Sequence, residues 1–584
     1  MAKLDLASVA LVAEHNAPMA MRDGTTLRAD VHRAATGGPF PVLLIRTPYG
    51  EAMMRAIIPV IPAIDAGFAV VLQHCRGTGA SDGQFVTFEH EADDGVDSIE
   101  WCARQPWSNG TVVMYGPSYL GMVQLAAAIQ VPPALRAMVL VVTPADYHWG
   151  LAYRQGAFQL GQALGWHTMK AVQQLTYLAS AGQDISAQMR TLVGLLADPA
   201  ASYARLPLRD APVVSEILPS WRTWFDHEER DAYWSALSYR DGRDRVTIPA
   251  LHVGGWFDLF LGGTLENFSF LSQHAASERA RHNQRLIVGP WTHTDRSGIV
   301  GELHFGTRAS DLAIQLERVQ LDFLRRAAHG GDEDLPGPPV RIFVMGDNVW
   351  RDEAEWPLAR TVWTRWYLHS DRSLSPSAPL PQASPSQYTH DPRHPVPTVG
   401  GATLLSASSI SLLPGPRDQR PVEARPDVLS FTSQELTEDL EVTGPVSVTL
   451  HAATSAVDTD FTAKLVDVWP DGRALSVVDG IVRARFRDGS DAALPVTAGE
   501  VYEYTIDLIA TSQVFAAGHR LRVEIASSNF PCFDRNPGNG APAGAATEAD
   551  FVVAEQTVFH DHDRPSYITL PVIPRGSRRT LTPG

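Results

Sequence analysis

Three residues of this 584-residue chain are placed where they could do chemistry: Ser118, Asp258 and His293. Each closely follows a short apolar run, Ser118 after "TVVMY" (111–115), Asp258 after "ALHVG" (250–254) and His293 after "RLIVG" (285–289). A serine hydroxyl is a poor nucleophile near neutral pH until a neighbouring imidazole takes its proton. A carboxylate then holds the imidazole in the right tautomer and stabilises the imidazolium. Singly, each residue is as well explained by a turn or helix-cap hydrogen bond. Together, in the order nucleophile, acid, base and each beyond a strand, they point to acyl transfer. One irregularity stands out in "VVMYGPSYLGMV": Gly116 lies two residues before Ser118, but the next glycine, Gly121, lies three after it rather than two. Gly121 still falls in the first turn of the helix expected over "YLGMVQLAAAIQ", where a small residue lets the helix lie close to the strands. Such a site also needs two oxyanion donors. The backbone N–H of Tyr119 is one, and the Tyr49 side chain in "RTPYG" is the candidate for the other.

Six apolar runs recur in the first three-fifths of the chain: 41–46, 68–73, 111–115, 137–143, 250–254 and 285–289. Continuous rather than alternating apolarity means burial on both faces, the mark of a mostly parallel sheet covered by helices. A helix is expected over 91–103, with Asp93, Asp94 and Asp97 toward its N-terminus, where the helix dipole favours negative charge. Ligands of such sheets bind beyond the carboxyl ends of the strands, which is where the three candidates lie. The order Ser, Asp, His is that of an α/β-hydrolase. The expected division is a hydrolase domain over 1–145 and 246–354, a helical cap inserted at 146–245, and an all-β sandwich over 355–584. The cap carries helical periodicity and no strand signal; the sandwich alternates apolar and polar residues between Pro- and Ser-rich loops.

Composition narrows the function class. The formal net charge of -17 opposes a nucleic-acid partner, because phosphate binding needs a basic surface, and disfavours anionic membranes. Three cysteines, Cys75, Cys102 and Cys532, are too few for a disulfide framework and lack zinc-site spacing, so they read as small buried hydrophobes in a reducing cytoplasm. The short apolar run Ser8 to Ala13 ends at Glu14 and His15, before a signal-peptide core or membrane span could form. "EHEADD" (89–94) and "HDHD" (560–563) have ligand-type residues but read as solvated surface, and the proposed chemistry needs neither a metal nor a cofactor.

Around the candidate residues the sequence resembles the cocaine esterase and X-prolyl dipeptidyl peptidase family of serine hydrolases. "GPSYLG" is similar to that family's Gly-x-Ser-Tyr-x-Gly elbow, "RTPYG" to its oxyanion loop, "GGWFDLF" to its acid turn and "GPWTHT" to its histidine turn. Likeness continues through "CRGTGASDGQF", "RIFVMGDNVWRDEAEWPL", "SAVDTDFTAKLVDVWPDGRA" and "GHRLRVEIASSNFPCFDRN". The resemblance implies an α/β-hydrolase domain with a helical insertion and a C-terminal jelly roll. It implies Ser118, Asp258 and His293 as the triad, and Tyr49 and Tyr119 as the oxyanion hole. For the acyl pocket it implies Trp166 and Phe260, with Leu405 and Ser406 where the family has a Leu-Phe pair and Leu151 where it has an aromatic residue. A pocket short of two aromatic walls is expected to take a larger or differently shaped acyl group. A small-molecule ester is the expected substrate, and the resemblance suggests a homodimer. The rival readings are an X-prolyl aminopeptidase or α-amino-acid ester hydrolase, which must hold a substrate ammonium with carboxylates, and an inactive binding protein.

Overall fold

All six apolar runs become strands of one sheet in the computed structural model, which describes residues 10–50, 54, 58–329, 335, 337–404, 413–489 and 491–575. The sheet's strands are β1 (Leu11–Ala20), β2 (Thr26–Ala34), β3 (Phe40–Thr47), β4 (Ala69–His74), β5 (Ser108–Pro117), β6 (Leu135–Val141), β7 (Ala250–Phe257), β8 (Arg285–Thr292), β9 (Val340–Val344) and β10 (Val349–Glu353). Among the described residues they pair in the order β1-β2-β4-β3-β5-β6-β7-β8-β9-β10. The pairings from β4 through β3 to β9 are parallel. The outer ones, β1 with β2, β2 with β4 and β9 with β10, are antiparallel. Every residue of β3, β7 and β8 is buried, which is why these runs show no alternation. Parallel pairing brings the carboxyl ends of β3, β5, β7 and β8 to one edge, and Tyr49, Ser118, Asp258 and His293 follow those ends.

Helix α1 (Glu91–Ala103) and helix α2 (Tyr119–Ala128) pack against this sheet and against each other. Gly95 allows their close approach: a Cβ there would meet that of Ala127 at 2.8 Å. Between β6 and β7 the chain is mainly helical, led by α3 (Leu160–Ser180). A two-residue hairpin, Tyr153–Arg154 with Ala157–Phe158, adds strand pairing where none was expected. Beyond β10, eleven strands among the described residues form a second sheet system that folds around its own core, with Leu450, Phe461, Leu465, Tyr504 and Val523 at its centre. Its longest strands, Leu440–Thr454 and Tyr502–Phe515, exceed the short strands expected and bend at bulges and a glycine. The β-rich region touches the insertion through buried charge. Arg485 pairs with Glu228 and with Asp458, Arg483 with Asp460 and Asp534, and the backbone N–H of Phe158 donates to Asp534. No helix among the described residues is long and apolar enough to cross a membrane.

Candidate active site

Ser118 sits on the single-residue turn between β5 and α2, with φ 57° and ψ −120°. A non-glycine residue in that region is strained, and strain of this kind persists only where the surroundings over-determine it. Here they do. The Ser118 N–H donates to the Val141 carbonyl at 2.8 Å, and its own carbonyl accepts from Gly121 and Met122. The glycines are explained by crowding on both sides of the turn. A Cβ on Gly116 would overlap Leu120, and one on Gly121 would overlap the Thr143 side chain just beyond β6. The displaced glycine therefore marks where α2 crosses the neighbouring strand end. The Ser118 hydroxyl makes no hydrogen bond among the described residues.

Asp258 and His293 do meet. His293 Nδ1 lies 2.8 Å from Asp258 Oδ1, with the carboxylate fully buried and the imidazole nearly so. That bond leaves Nε2 as the free ring nitrogen, the arrangement a general base needs. The Phe260 ring packs edge-on against the imidazole at 5.3 Å between centroids. Phe260 thus braces the imidazole.

On the other side of the elbow, Tyr49, Tyr119 and Trp166 form one aromatic group. Trp166, half-buried on α3, stacks on Tyr119 at 6.2 Å and donates its Nε1–H to the Tyr49 hydroxyl at 3.1 Å. With that acceptor position filled, the tyrosine's own proton is free to point elsewhere. Burial pushes the Tyr49 phenol up to about 12, against the opposing effect of the Trp166 bond, so it stays a donor throughout the neutral range. The Tyr119 side chain turns away from the site and donates to Glu91 at 2.8 Å. Glu91 pairs with Arg46 at 3.0 Å, both buried, and Arg46 also donates to the Glu91 carbonyl and to Gln73. Burial, reinforced by Glu91, drives the Tyr119 phenol well above its ordinary range. The elbow's tyrosine is thereby anchored through its side chain.

Two expectations change. Glu91 and Asp94 of "EHEADD" are buried rather than solvated, Asp94 pairing with Arg76 at 2.6 Å. In "HDHD", His560 and Asp561 are also buried, whereas His562 and Asp563 are exposed. Arg46 of β3 and Arg76 just beyond β4 supply the opposite charges that offset the burial of Glu91 and Asp94, whereas Asp561 is paired by the nearby Arg564 and His560 is bonded to the Ser386 hydroxyl. Among the described residues no cluster of three or more His, Cys, Asp or Glu side chains is disposed to hold a metal ion. Leu151 is buried at the base of the insertion, its carbonyl accepting from Gln159 and Gln162. Leu405 and Ser406 lie outside the described residues.

One group escaped the sequence reading altogether. Lys170, one turn beyond Trp166 on α3, is fully buried and donates to the Pro48 carbonyl at 2.5 Å and to Gln173 at 2.7 Å. In an amphipathic helical pattern a lysine is read as solvent-facing. Its position four residues after Trp166 was the available signal, because i and i+4 share a helix face.

Comparison with known proteins matches the chain in two parts. Residues 23–295 match the model of the X-Pro dipeptidyl-peptidase (S15 family), and residues 336–569 that of the X-Pro dipeptidyl-peptidase C-terminal non-catalytic domain. The chain is 36% identical over 579 residues to the cocaine esterase of Rhodococcus sp. (strain MB1 Bresler), covering 96% of this chain and 98% of that one. Among solved structures, an aminopeptidase from a marine sediment archaeon, Thaumarchaeota archaeon, superposes with a TM-score of 0.81 at 25% identity, over 97% of both chains. An α-amino acid ester hydrolase superposes with a TM-score of 0.80 at 26% identity, over 96% of both.

Proposed function

Because the chain belongs to the serine-esterase and X-Pro dipeptidyl-peptidase (S15) family of hydrolases, we propose that it is a cofactor-independent serine carboxylesterase working through an acyl-enzyme on Ser118. In this reading Ser118 Oγ attacks the ester carbonyl while His293 Nε2 takes its proton. The Tyr49 hydroxyl and the Tyr119 N–H hold the oxyanion. Collapse of the tetrahedral intermediate expels the alkoxide, which receives the proton from His293. A water activated by the same nitrogen then attacks the acyl-enzyme, and the acid leaves as Ser118 is reprotonated. Asp258 keeps the imidazole in the tautomer this needs.

The observation that carries the reading is the strained Ser118 elbow on the same sheet edge as a buried, hydrogen-bonded Asp258–His293 pair. Ser118→Ala is expected to abolish turnover of a nitrophenyl acyl ester, and retained turnover would refute the assignment. Trp166 and Phe260 are proposed to wall the acyl group. With Leu151 replacing an aromatic wall, bulky acyl esters should be preferred to benzoyl esters in a graded screen. The insertion, 146–245, is read as the cap over Ser118, and the region 355–584 as the jelly roll beside it.

The aminopeptidase and α-amino-acid ester hydrolase readings need carboxylates free to hold an ammonium. Asp146, just beyond β6, is taken by Arg230, and Glu266 by Arg240 and Arg243, which supports the simple ester. Equal rates on one acyl ester with and without a free α-amino group are expected. Three unpaired cysteines fit a cytoplasmic location, and the proposed homodimer is testable by light scattering.

A further inference from the structure

A buried ammonium without a carboxylate is an expensive choice for a position on a cap helix. Lys170 has no acidic group within ion-pair distance among the described residues. Its hydrogen-bond acceptors are neutral: the Pro48 carbonyl and the Gln173 amide, itself held by Tyr177 at 2.7 Å. The amine also lies 4.4 Å from the centre of the Phe85 ring and 5.8 Å from that of Tyr49. Glu91 and Cys75 act on it only through space, and Glu91 is already engaged by Arg46 and Tyr119. Burial accordingly pushes the Lys170 amine down to about 7. Methionine or leucine would fill this space at lower cost, since desolvating an ionised group is costly unless it is paired.

The position of the amine shows what the cost secures. Pro48 immediately precedes Tyr49, so the two side chains of α3 grip one short segment at two points. Trp166 holds the phenolic oxygen, and Lys170 holds the peptide that sets the direction of the Cα–Cβ bond. We propose, on the esterase reading above, that Lys170 is a positioning residue of the oxyanion hole: its amine pins the Pro48 carbonyl and, together with Trp166, aims the Tyr49 hydroxyl. Both the charged and the neutral amine can donate to that carbonyl, so positioning survives titration of the lysine. The cap thereby contributes to the rate step through the orientation of a hydrolase residue, in addition to walling the substrate.

A double-mutant cycle separates this role from a structural one. Lys170→Met is expected to lower kcat on a nitrophenyl ester about tenfold, the scale of one lost hydrogen bond to an amine, with KM changed less than twofold. In a Tyr49→Phe background the same change should cost nothing further, because the hydroxyl it aims is gone. Equal losses in both backgrounds, or a lower melting temperature with unchanged kcat, would overturn the proposal. If Lys170→Met does not fold, Gln173→Met, which removes the amide steadying the amine at a half-buried position, carries the cycle with a smaller expected loss. Ser118→Ala measured alongside keeps the two readings apart. Turnover retained there refutes the esterase assignment, whereas an inert Ser118→Ala with a multiplicative cycle refutes only the role of Lys170.

Discussion

The two halves of the proposed site are built by different parts of the chain. The acid–base half, Asp258 and His293, follows directly from the ends of β7 and β8, paired through a register that runs from Arg285 to Thr292. Two adjacent strands therefore set its geometry, and only Phe260 need brace it. The oxyanion half hangs from a longer chain of contacts: Tyr49 on a loop after β3, steered by Trp166 and Lys170 of α3, and Tyr119 at the start of α2, anchored through Glu91 to Arg46 on β3. One half is made rigid by hydrogen-bonded sheet, the other by side chains reaching across elements. Chemistry at the first should be sensitive to its own residues alone, and chemistry at the second to residues that never touch substrate.

The largest expected effect tests the sheet-built half. Asp258→Asn should lower kcat by about 10⁴, because the amide imposes the wrong imidazole tautomer while leaving the packing intact. Stopped-flow or steady-state assay of a nitrophenyl ester reads it, and a loss of only tenfold would mean that something other than Asp258 orients His293. Glu91→Gln strikes the support of the other half. Leaving Arg46 buried and unpaired should cost about 3–5 kcal/mol of stability, read as a drop in melting temperature. An unchanged melting temperature would show that the pair is not what anchors Tyr119. Tyr49→Phe should then cost about 3–4 kcal/mol of barrier, or 10² to 10³ in kcat, with little change in melting temperature. A rate within threefold of the parent would reduce Tyr49 to packing.

This same division decided how much could be read in advance. The sheet-built half was legible because continuous apolar runs reveal buried strands, and residues just after them fall at the site. The order Ser118, Asp258, His293 and the 91–103 helix needed no tertiary information. The supports of the oxyanion half were not legible. Glu91 reads as a helix N-terminal acid on any sequence argument, and only the fold brings Arg46, 45 residues away, against it. Lys170 was hidden for the opposite reason: a lysine in a helical pattern is assigned to solvent, and its acceptor is a backbone carbonyl that no side-chain pattern encodes. Gly121 lies between these cases. Its spacing was visible, but the reason for it, the Thr143 side chain crossing beneath α2, required the neighbouring strand to be in place.

The smallest effect is the most discriminating about Trp166, the donor to Tyr49, which is proposed to serve separately as an aromatic wall. Trp166→Phe keeps a ring against Tyr119 and deletes the Nε1–H, so it removes one neutral hydrogen bond, about 0.5–1.5 kcal/mol. If the donor orients the phenol, kcat should fall about two- to tenfold for short and bulky acyl esters alike, while KM stays within twofold. If Trp166 is chiefly a wall, the smaller ring enlarges the pocket. KM should then change with acyl size, improving for the bulkiest esters and worsening for the shortest, with kcat nearly constant. A uniform kcat loss that vanishes in a Tyr49→Phe background would tie the effect to the phenol. The oxyanion half would then depend on the cap at the one point where the sheet cannot supply the geometry.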